Sequence, residues 1–191
     1  TYTGLISFLG GIISIVTGII FTLIITRTVS TEEYGTWGLI NALILYVLMI
    51  SPVISYWATR DTARNVQSGK SAVLSTMLLS VGGMSVYVLI SYLMGYYTDV
   101  NQNILLFAVV LIPAMFMNGI LVAVNLGWKP HAISYGTIIF GFSEIPLALL
   151  FIYYFDLGVN GIILSILISY MISIIVLFQF AKEKIKNSFN K

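Results

Sequence analysis

The sequence predicts an all-α integral membrane protein, built as a bundle of six transmembrane helices. Hydrophobic residues make up 59% of the chain and charged residues only 8%, whereas about a quarter of the residues of a soluble domain are charged. Apolar runs of about 20 residues recur along the chain, and each is long enough to cross a hydrocarbon core roughly 30 Å thick. We place the six spans at residues 4–26, 38–57, 72–97, 104–125, 135–155 and 161–181.

A polar stretch, Arg27–Gly38, separates the first two apolar runs. Ser30 is followed three residues later by Glu33, which is the capping-box pattern: the serine hydroxyl accepts from the Glu33 amide, and the glutamate carboxylate accepts from the Ser30 amide. This pattern predicts that the second helix begins at Thr31. Arg27 then lies at the negative end of the first helix dipole, and the acidic residues lie at the positive start of the second. A capped, solvated turn would explain these charges without any function.

The same stretch resembles a known family. Its motif consists of Arg27, Ser30, Glu32, Glu33, Tyr34, Gly35 and Trp37, placed between an apolar helix rich in small residues and a second helix that ends near an arginine. This motif, together with the helix and loop spacing, resembles the amino-terminal half of the polysaccharide and oligosaccharide-lipid flippases of the multidrug/oligosaccharidyl-lipid/polysaccharide exporter superfamily. The resemblance implies a multi-pass transporter that moves lipid-linked oligosaccharide or polysaccharide precursors across the cytoplasmic membrane by alternating access.

The resemblance also implies that residues 1–191 form a single lobe facing a second six-helix lobe. That second lobe could follow in the same gene or come from another copy in a homodimer. We expect a fragment of a longer transporter, because the chain starts at Thr1 without a methionine. Its basic end, residues 182–191, would suit a cytoplasmic linker between lobes.

The basic residues outside the spans predict the orientation of the chain. Eight of the nine Lys and Arg residues follow the second, fourth and sixth spans, in the loop Ala58–Ser71, the turn around Lys129 and the segment after Ala181, whereas Arg27 alone follows the first span. By the positive-inside rule, both termini of this segment are expected in the cytoplasm. The resemblance to the flippases implies that the membrane is the cell membrane. Tyr and Trp residues cluster near both ends of the spans, as expected for an interfacial belt.

Glu144 is the charged residue that lies deepest in a predicted span. It is about ten residues into the span 135–155, where a carboxylate costs roughly 2.5–3.5 kcal/mol on insertion scales. Such a residue is either protonated and hydrogen-bonded to a neighbouring Ser or Asn, or it faces a wet cavity and binds a coupling proton or Na⁺ during transport. Pro146 removes one helical hydrogen bond nearby and frees the Phe142 carbonyl at a similar depth. Both alternatives are open on the sequence alone.

Proline and asparagine mark other spans. Pro52 and Pro113, like Pro146, predict kinks of the kind that transport helices use when they bend. Asn41, Asn118 and Asn125 place amides within apolar runs, where they must face protein or water. Such amides serve more often as hydrogen bonds between helices than as ligands, although Asn41 and Asn118 are also candidate cavity residues.

Two runs carry small residues at every fourth position. The stripe of the first run is Gly10, Ser14, Gly18, Thr22 and Thr26, and that of the sixth run is Gly161, Ser165, Ser169 and Ser173. Each stripe predicts a narrow helix face that lets a neighbouring helix approach closely. For the first run the alternative is a cavity lining, with Ser14 and Thr22 as its candidate polar groups.

The sequence leaves more than one substrate and more than one class of protein open. Arg27 and Arg60, at opposite membrane ends, are the basic residues that could contact a substrate phosphate, because no Lys or Arg lies in the middle of a span. This departs from the basic cavity of the family, so an exporter of drugs or metabolites with the same fold remains open, as does a non-transporting scaffold subunit. Arg60 would more simply anchor the topology, and His131 is expected to be an interfacial loop residue. With no cysteine and no metal, nucleotide or nucleophile motif, we expect neither an enzyme nor a cofactor, a metal or a nucleic-acid partner.

Overall fold

The structure, a computed structural model, describes residues 2–98 and 100–186. It contains eight α-helices in this part of the chain: α1 (Tyr2–Thr28), α2 (Thr31–Leu48), α3 (Ser51–Ala63), α4 (Gly69–Tyr97), α5 (Gln102–Phe107), α6 (Leu111–Trp128), α7 (His131–Ala148) and α8 (Gly158–Lys186). A 3₁₀ turn, Ala108–Val110, joins α5 to α6, and a π-helical segment, Leu149–Tyr154, extends α7. The expected turn residue Asp99 and the last residues of the expected linker, 187–191, lie outside the described residues.

The prediction of an all-α multi-pass membrane protein is confirmed. Five helical segments are long and apolar enough to cross a membrane: Gly4–Thr28, Gly69–Tyr97, Gln102–Trp128, His131–Tyr154 and Gly158–Lys186. The pair of α2 and α3 passes the same test together, but the two helices are bent by 52° at their junction. The described chain therefore has five such segments, or six when the bent pair is counted as one span.

The second predicted span, 38–57, is not one continuous helix. The break falls at Met49 and Ile50, and Pro52 follows as the second residue of α3, where its missing amide costs no helical hydrogen bond. The predicted loop Ala58–Ser71 is also too long, because α3 continues to Ala63 and α4 starts at Gly69. Polar residues can continue a helix beyond the apolar part of a membrane, so hydropathy marked the end of the apolar run rather than the end of the helix.

The other two prolines that predicted kinks, Pro113 and Pro146, also lie where the regular α-helix changes. Pro113 comes three residues after the 3₁₀ turn that precedes α6, and Pro146 comes three residues before the π-helical segment. A proline lacks the amide that an α-helix needs and crowds the preceding turn, so departures from α-geometry are expected beside it.

The predicted capping box is confirmed, and α2 begins at Thr31. The Glu33 amide donates to the Ser30 hydroxyl at 3.2 Å, and the Ser30 amide donates to the Glu33 carboxylate at 2.9 Å. The same carboxylate lies against Gly158, whose φ of +52° favours glycine and which opens α8. Glu33 therefore joins the α1–α2 turn to the α7–α8 turn at one end of the bundle.

Five of the helices pack side by side in a row, and α4 packs across several helices. α1 packs along α7, α7 along α8, α8 along α6 and α6 along α3, so that α1 and α3 lie at the two ends of the row. α4 contacts α2, α3, α6 and α8, and Tyr87 of α4 is fully buried, donating a hydrogen bond to the Leu105 carbonyl at 3.1 Å. The position of α8 inside this row decides how its small residues are used.

The small-residue stripe of the sixth run packs as predicted. Ser165 and Ser169 are fully buried, Ser173 is nearly so, and an added Cβ at Gly161 would meet the Phe151 carbonyl at 2.9 Å. Because α8 has helices on several sides, a stripe that winds around it stays inside the bundle.

The stripe of the first run is exposed beyond Gly10 and the half-buried Ser14. Gly10 contacts Ser134 of α7, but Gly18, Thr22 and Thr26 are exposed, and the two threonine hydroxyls donate to carbonyls of their own helix. Positions four apart turn by about 40° per step on a helix of 3.6 residues per turn, so the stripe leaves the single interface of α1. The buried face is instead formed by Thr17, Phe21 and Ile25.

Candidate functional site

A groove of about 790 Å³ lies between the α2–α3 pair and α6, with Tyr170 of α8 contributing to its lining. It brings together three of the candidates that the sequence indicated: Pro52, Arg60 and Asn118. Most of the remaining lining is apolar, with hydroxyls from Ser51, Ser55 and Thr59 of α3. The groove is thus largely apolar, with a few polar groups and one charged residue, Arg60.

The groove exists because α3 and α6 touch closely at one end. The Thr59 hydroxyl donates to the Ala123 carbonyl at 3.0 Å. Farther along, a Cβ on Gly127 would lie 2.6 Å from the Thr59 carbonyl oxygen and 2.9 Å from the Ala63 nitrogen. Only a glycine permits this approach of the two backbones. Because α2 and α3 are bent relative to one another, α3 contacts α6 closely at this end. The space beside that contact is the groove.

Arg60 lies at the closed end of the groove. Its guanidinium carbon is 5.1 Å from the centroid of the Trp57 ring, a cation–π distance, and the residue is half-buried. No carboxylate forms an ion pair with it in the described part of the chain, where the ion pair found is that of Lys129 with Glu183 at 3.8 Å. The Arg60 charge is therefore held in place by a ring and not neutralised by an acid.

A second cavity, of about 170 Å³, lies behind the groove. Phe140 and Thr137 of α7 and Ser173 of α8 are among its lining residues. Asn118, Val122 and Tyr170 line both this inner cavity and the groove. Ser173 Oγ lies 3.2 Å from Asn118 Oδ1 and 3.1 Å from the Gly136 carbonyl oxygen, which ties α6, α7 and α8 together. Asn118, Val122 and Tyr170 thus lie between the two spaces.

The predicted use of asparagines as links between helices is confirmed for two of the three. Asn118 bonds to α8 through Ser173, and Asn125 donates from Nδ2 to the Leu177 carbonyl at 3.0 Å. Asn41 is exposed on α2.

Glu144 is buried on α7. Its side chain is 6% exposed and lies one turn beyond Phe140 on the same side of α7. Among the described residues no hydrogen bond to the Glu144 carboxylate is found, so the bond to a Ser or Asn that one sequence interpretation requires is not present. The π-helical segment begins five residues later, and such segments often occur at functional sites.

The remaining candidates are not part of this site. Arg27 is exposed at the end of α1, Thr22 is exposed and Ser14 is half-buried on the same helix, and none of them lines the groove or the inner cavity. Tyr170 was missed by sequence reasoning. Its signal was a phenol in the middle of an apolar run, directly after the buried Ser169.

Aromatic and charged residues cluster where the last turns of α6 and α8 meet the turn between α3 and α4. The Lys184 amine lies 4.0 Å from the centroid of the Trp128 ring and donates to Asn65 Oδ1 at 2.9 Å. The His131 ring packs edge-on against Phe180 with centroids 5.9 Å apart. These contacts fasten the end of α8 to two neighbouring turns. No group of His, Cys, Asp and Glu that could hold a metal occurs within the described residues.

Comparison with known proteins adds no relative, since the chain matches no family model, no curated protein and no solved structure. The resemblance to the flippases therefore depends on the α1–α2 motif and the helix spacing, and the function has to be argued from the groove and from Glu144.

Proposed function

We propose that this chain is the six-span amino-terminal lobe of a two-lobe transporter, which moves lipid-linked oligosaccharide or polysaccharide precursors across the cytoplasmic membrane by alternating access. The observation that carries the proposal is the groove, which combines an apolar wall, a broken span and Arg60, an arginine without an ion pair among the described residues. A pocket with mostly apolar walls and a few placed polar groups is the usual form of a ligand site.

Each part of the groove has a role in this proposal. The apolar wall would accept the lipid chain, and Arg60 would bind the phosphate by charge-assisted hydrogen bonds. The bend between α2 and α3 would supply the flexible point, because discontinuous helices commonly line transport sites. The sugar would face the second six-helix lobe, which supplies the other wall.

The orientation and the coupling belong to the same proposal. With both termini of this segment cytoplasmic, Arg60 would lie at the cytoplasmic face, where a substrate made inside the cell would enter. Glu144 would carry the coupling ion, a proton or Na⁺. A buried carboxylate without a hydrogen bond among the described residues is costly in a membrane, and such a residue therefore points to a function.

One observation favours a second candidate, an exporter of amphipathic drugs or metabolites with the same fold. The groove has no charge in its middle, so an apolar molecule with one anionic group would fit it as well as a lipid diphosphate. A scaffold subunit without transport would need neither the groove nor the buried acid.

A flipping assay with the full-length protein in liposomes separates these candidates. The substrate is a fluorescent polyprenyl-diphosphate saccharide, and an impermeant quencher reports how much of it reaches the outer leaflet. We expect Arg60→Ala to slow flipping by about tenfold to a hundredfold, because a hydrogen bond to a charged group contributes about 1.5–3 kcal/mol.

Arg64→Ala is the matched control, since Arg64 is exposed one helical turn away and does not line the groove. Transport of a single-tailed amphipathic anion without flipping of the saccharide lipid would favour the exporter. No movement of either molecule, at any coupling gradient, would contradict a transport function.

A further inference from the structure

We propose that a cleft between α3 and the start of α4 binds a phospholipid whose headgroup carries a primary ammonium group, such as phosphatidylethanolamine. Asp61 would accept hydrogen bonds from that ammonium group. The cleft shares no lining residue with the groove, so this site goes beyond the proposed function and does not depend on it.

The cleft has a volume of about 230 Å³ and is formed by one side of each helix. The lining residues that matter here are three or four positions apart on their helix, which puts them on one side of it: Val53, Trp57 and Asp61 on α3, and Ser71 and Ser75 on α4, with Ser68 just before α4. A short turn, residues 64–68, joins the two helices. The end of α3 therefore lies beside the start of α4, and Asp61 and Ser68 share one end of the cleft.

The cleft changes from polar to apolar along its length. Asp61 and Ser68 lie at the end next to the turn, whereas Val53 lies about 12 Å farther along α3 at 1.5 Å per residue. Trp57 lies between them, and both Trp57 and Val53 are exposed, so the cleft opens to the outside of the bundle. Tryptophan is typical of the level of the lipid headgroups. A lipid with its headgroup at Asp61 and its first chain carbons along Val53 matches this change in polarity.

The charge of Asp61 selects the headgroup. Asp61 is half-buried and forms no ion pair with any described residue. The guanidinium group of Arg60, the residue before it, lies over the Trp57 ring instead. A half-buried carboxylate without a counter-ion attracts an ammonium group and disfavours a headgroup that is only anionic.

The other polar atoms of the cleft favour a primary ammonium over the alternatives. The Ser68 hydroxyl oxygen is buried without a hydrogen-bond partner, and such an atom often indicates a missing ligand or water. A primary ammonium has three N–H donors for the carboxylate and hydroxyl oxygens. A quaternary ammonium has none and is usually held by a cage of aromatic rings, whereas Trp57 is the one aromatic residue in this lining. A calcium ion would need about 6–8 oxygen ligands, more than one carboxylate and three serines offer.

The first test is native mass spectrometry of the full-length protein, released from micelles that hold equal amounts of phosphatidylethanolamine and phosphatidylcholine with the same acyl chains. We expect the ethanolamine lipid to be retained about tenfold more than the choline lipid, because only its ammonium group can donate hydrogen bonds to a carboxylate. Asp61→Asn keeps the shape of the side chain and should bring the ratio close to one. Asp156→Asn is the matched control, since Asp156 is exposed in the turn before α8, at the other end of the bundle.

The second test locates the ammonium group. A carbodiimide joins a carboxyl group to a primary amine as an amide, so in vesicles of phosphatidylethanolamine it attaches the lipid to any carboxylate that the amine touches. Peptide mass spectrometry should find this adduct several-fold more often on Asp61 than on Glu183. Glu183 is the internal control, because it lies at the same end of the bundle and is more exposed, so random encounters would favour it.

Equal retention of the two lipids by the wild type, or an unchanged ratio in Asp61→Asn, would overturn the site. So would adducts that are no more frequent on Asp61 than on Glu183. Displacement of the lipid by free ethanolamine at the same concentration would show that the cleft takes a soluble amine and not a lipid. Because none of these readouts involves flipping, they are independent of the proposed transport function.

Discussion

Glu144→Gln in the full-length protein will reduce transport by about tenfold or more, while expression and folding stay near those of the wild type. Glutamine has almost the same shape as glutamate, and it is less costly at that depth because it carries no ionisable group. It cannot take up or release a proton, and it is a weak ligand for a cation. If transport depends on coupling at this position, the variant will transport more slowly but fold normally. The flipping assay in liposomes measures it, with the retention volume in detergent as the measure of folding.

Glu32→Gln is the control for this prediction, since Glu32 is an exposed glutamate at the start of α2 and lies away from the groove. Both variants remove one carboxylate, so a general effect of charge would appear in both. Unchanged transport in Glu144→Gln would show that the acid has only a structural role.

Gly127→Val will separate α3 from α6 and destroy the groove. Even a Cβ at this position would lie 2.6 Å from the Thr59 carbonyl oxygen, and a backbone cannot yield as the end of a flexible side chain can. Overpacking of this kind costs roughly 1–3 kcal/mol and often more between backbones. We expect the temperature at which the detergent-solubilised protein loses its monodisperse peak to fall by several degrees, or the variant to fail to accumulate.

Gly18→Val is the matched control, because no atom lies within 4 Å of a Cβ added there. Both changes put the same β-branched residue into a helix, so their difference isolates the contact with α3. Equal stability of the two variants would refute the close approach of α3 and α6 on which the groove depends.

The sequence alone predicted the features that depend only on residues close together in the chain. The capping box involves only Ser30 and Glu33, and it placed the start of α2 at the right residue. Glu144 also lies inside a helical segment long and apolar enough to cross a membrane, His131–Tyr154, as its place in the apolar run predicted.

Features that depend on neighbouring helices could not be predicted in the same way. Pro52 predicted a kink in the second run, and the bend between α2 and α3 falls just before it. Hydropathy, which does not change at Met49, gave neither the size of the bend nor the helix that α3 contacts after it. The stripe of Gly10 and Thr22 looked like a packing face, but only the position of α7 decides which face of α1 is buried. Tyr170 became a candidate only when the structure placed it between two cavities from different helices.

The most direct test of the account is whether the groove opens to both sides of the membrane in turn. A cysteine at Ser55 of the full-length protein can be labelled with an impermeant maleimide, from outside in intact cells and from inside in inverted vesicles. Gln67→Cys and Asp156→Cys are the orientation controls, because both residues are exposed in turns; the first should label only from inside and the second only from outside. The account predicts that Ser55→Cys labels from both sides and that substrate shifts the balance between them. Labelling of Ser55→Cys from one side alone, unchanged by substrate, would contradict alternating access.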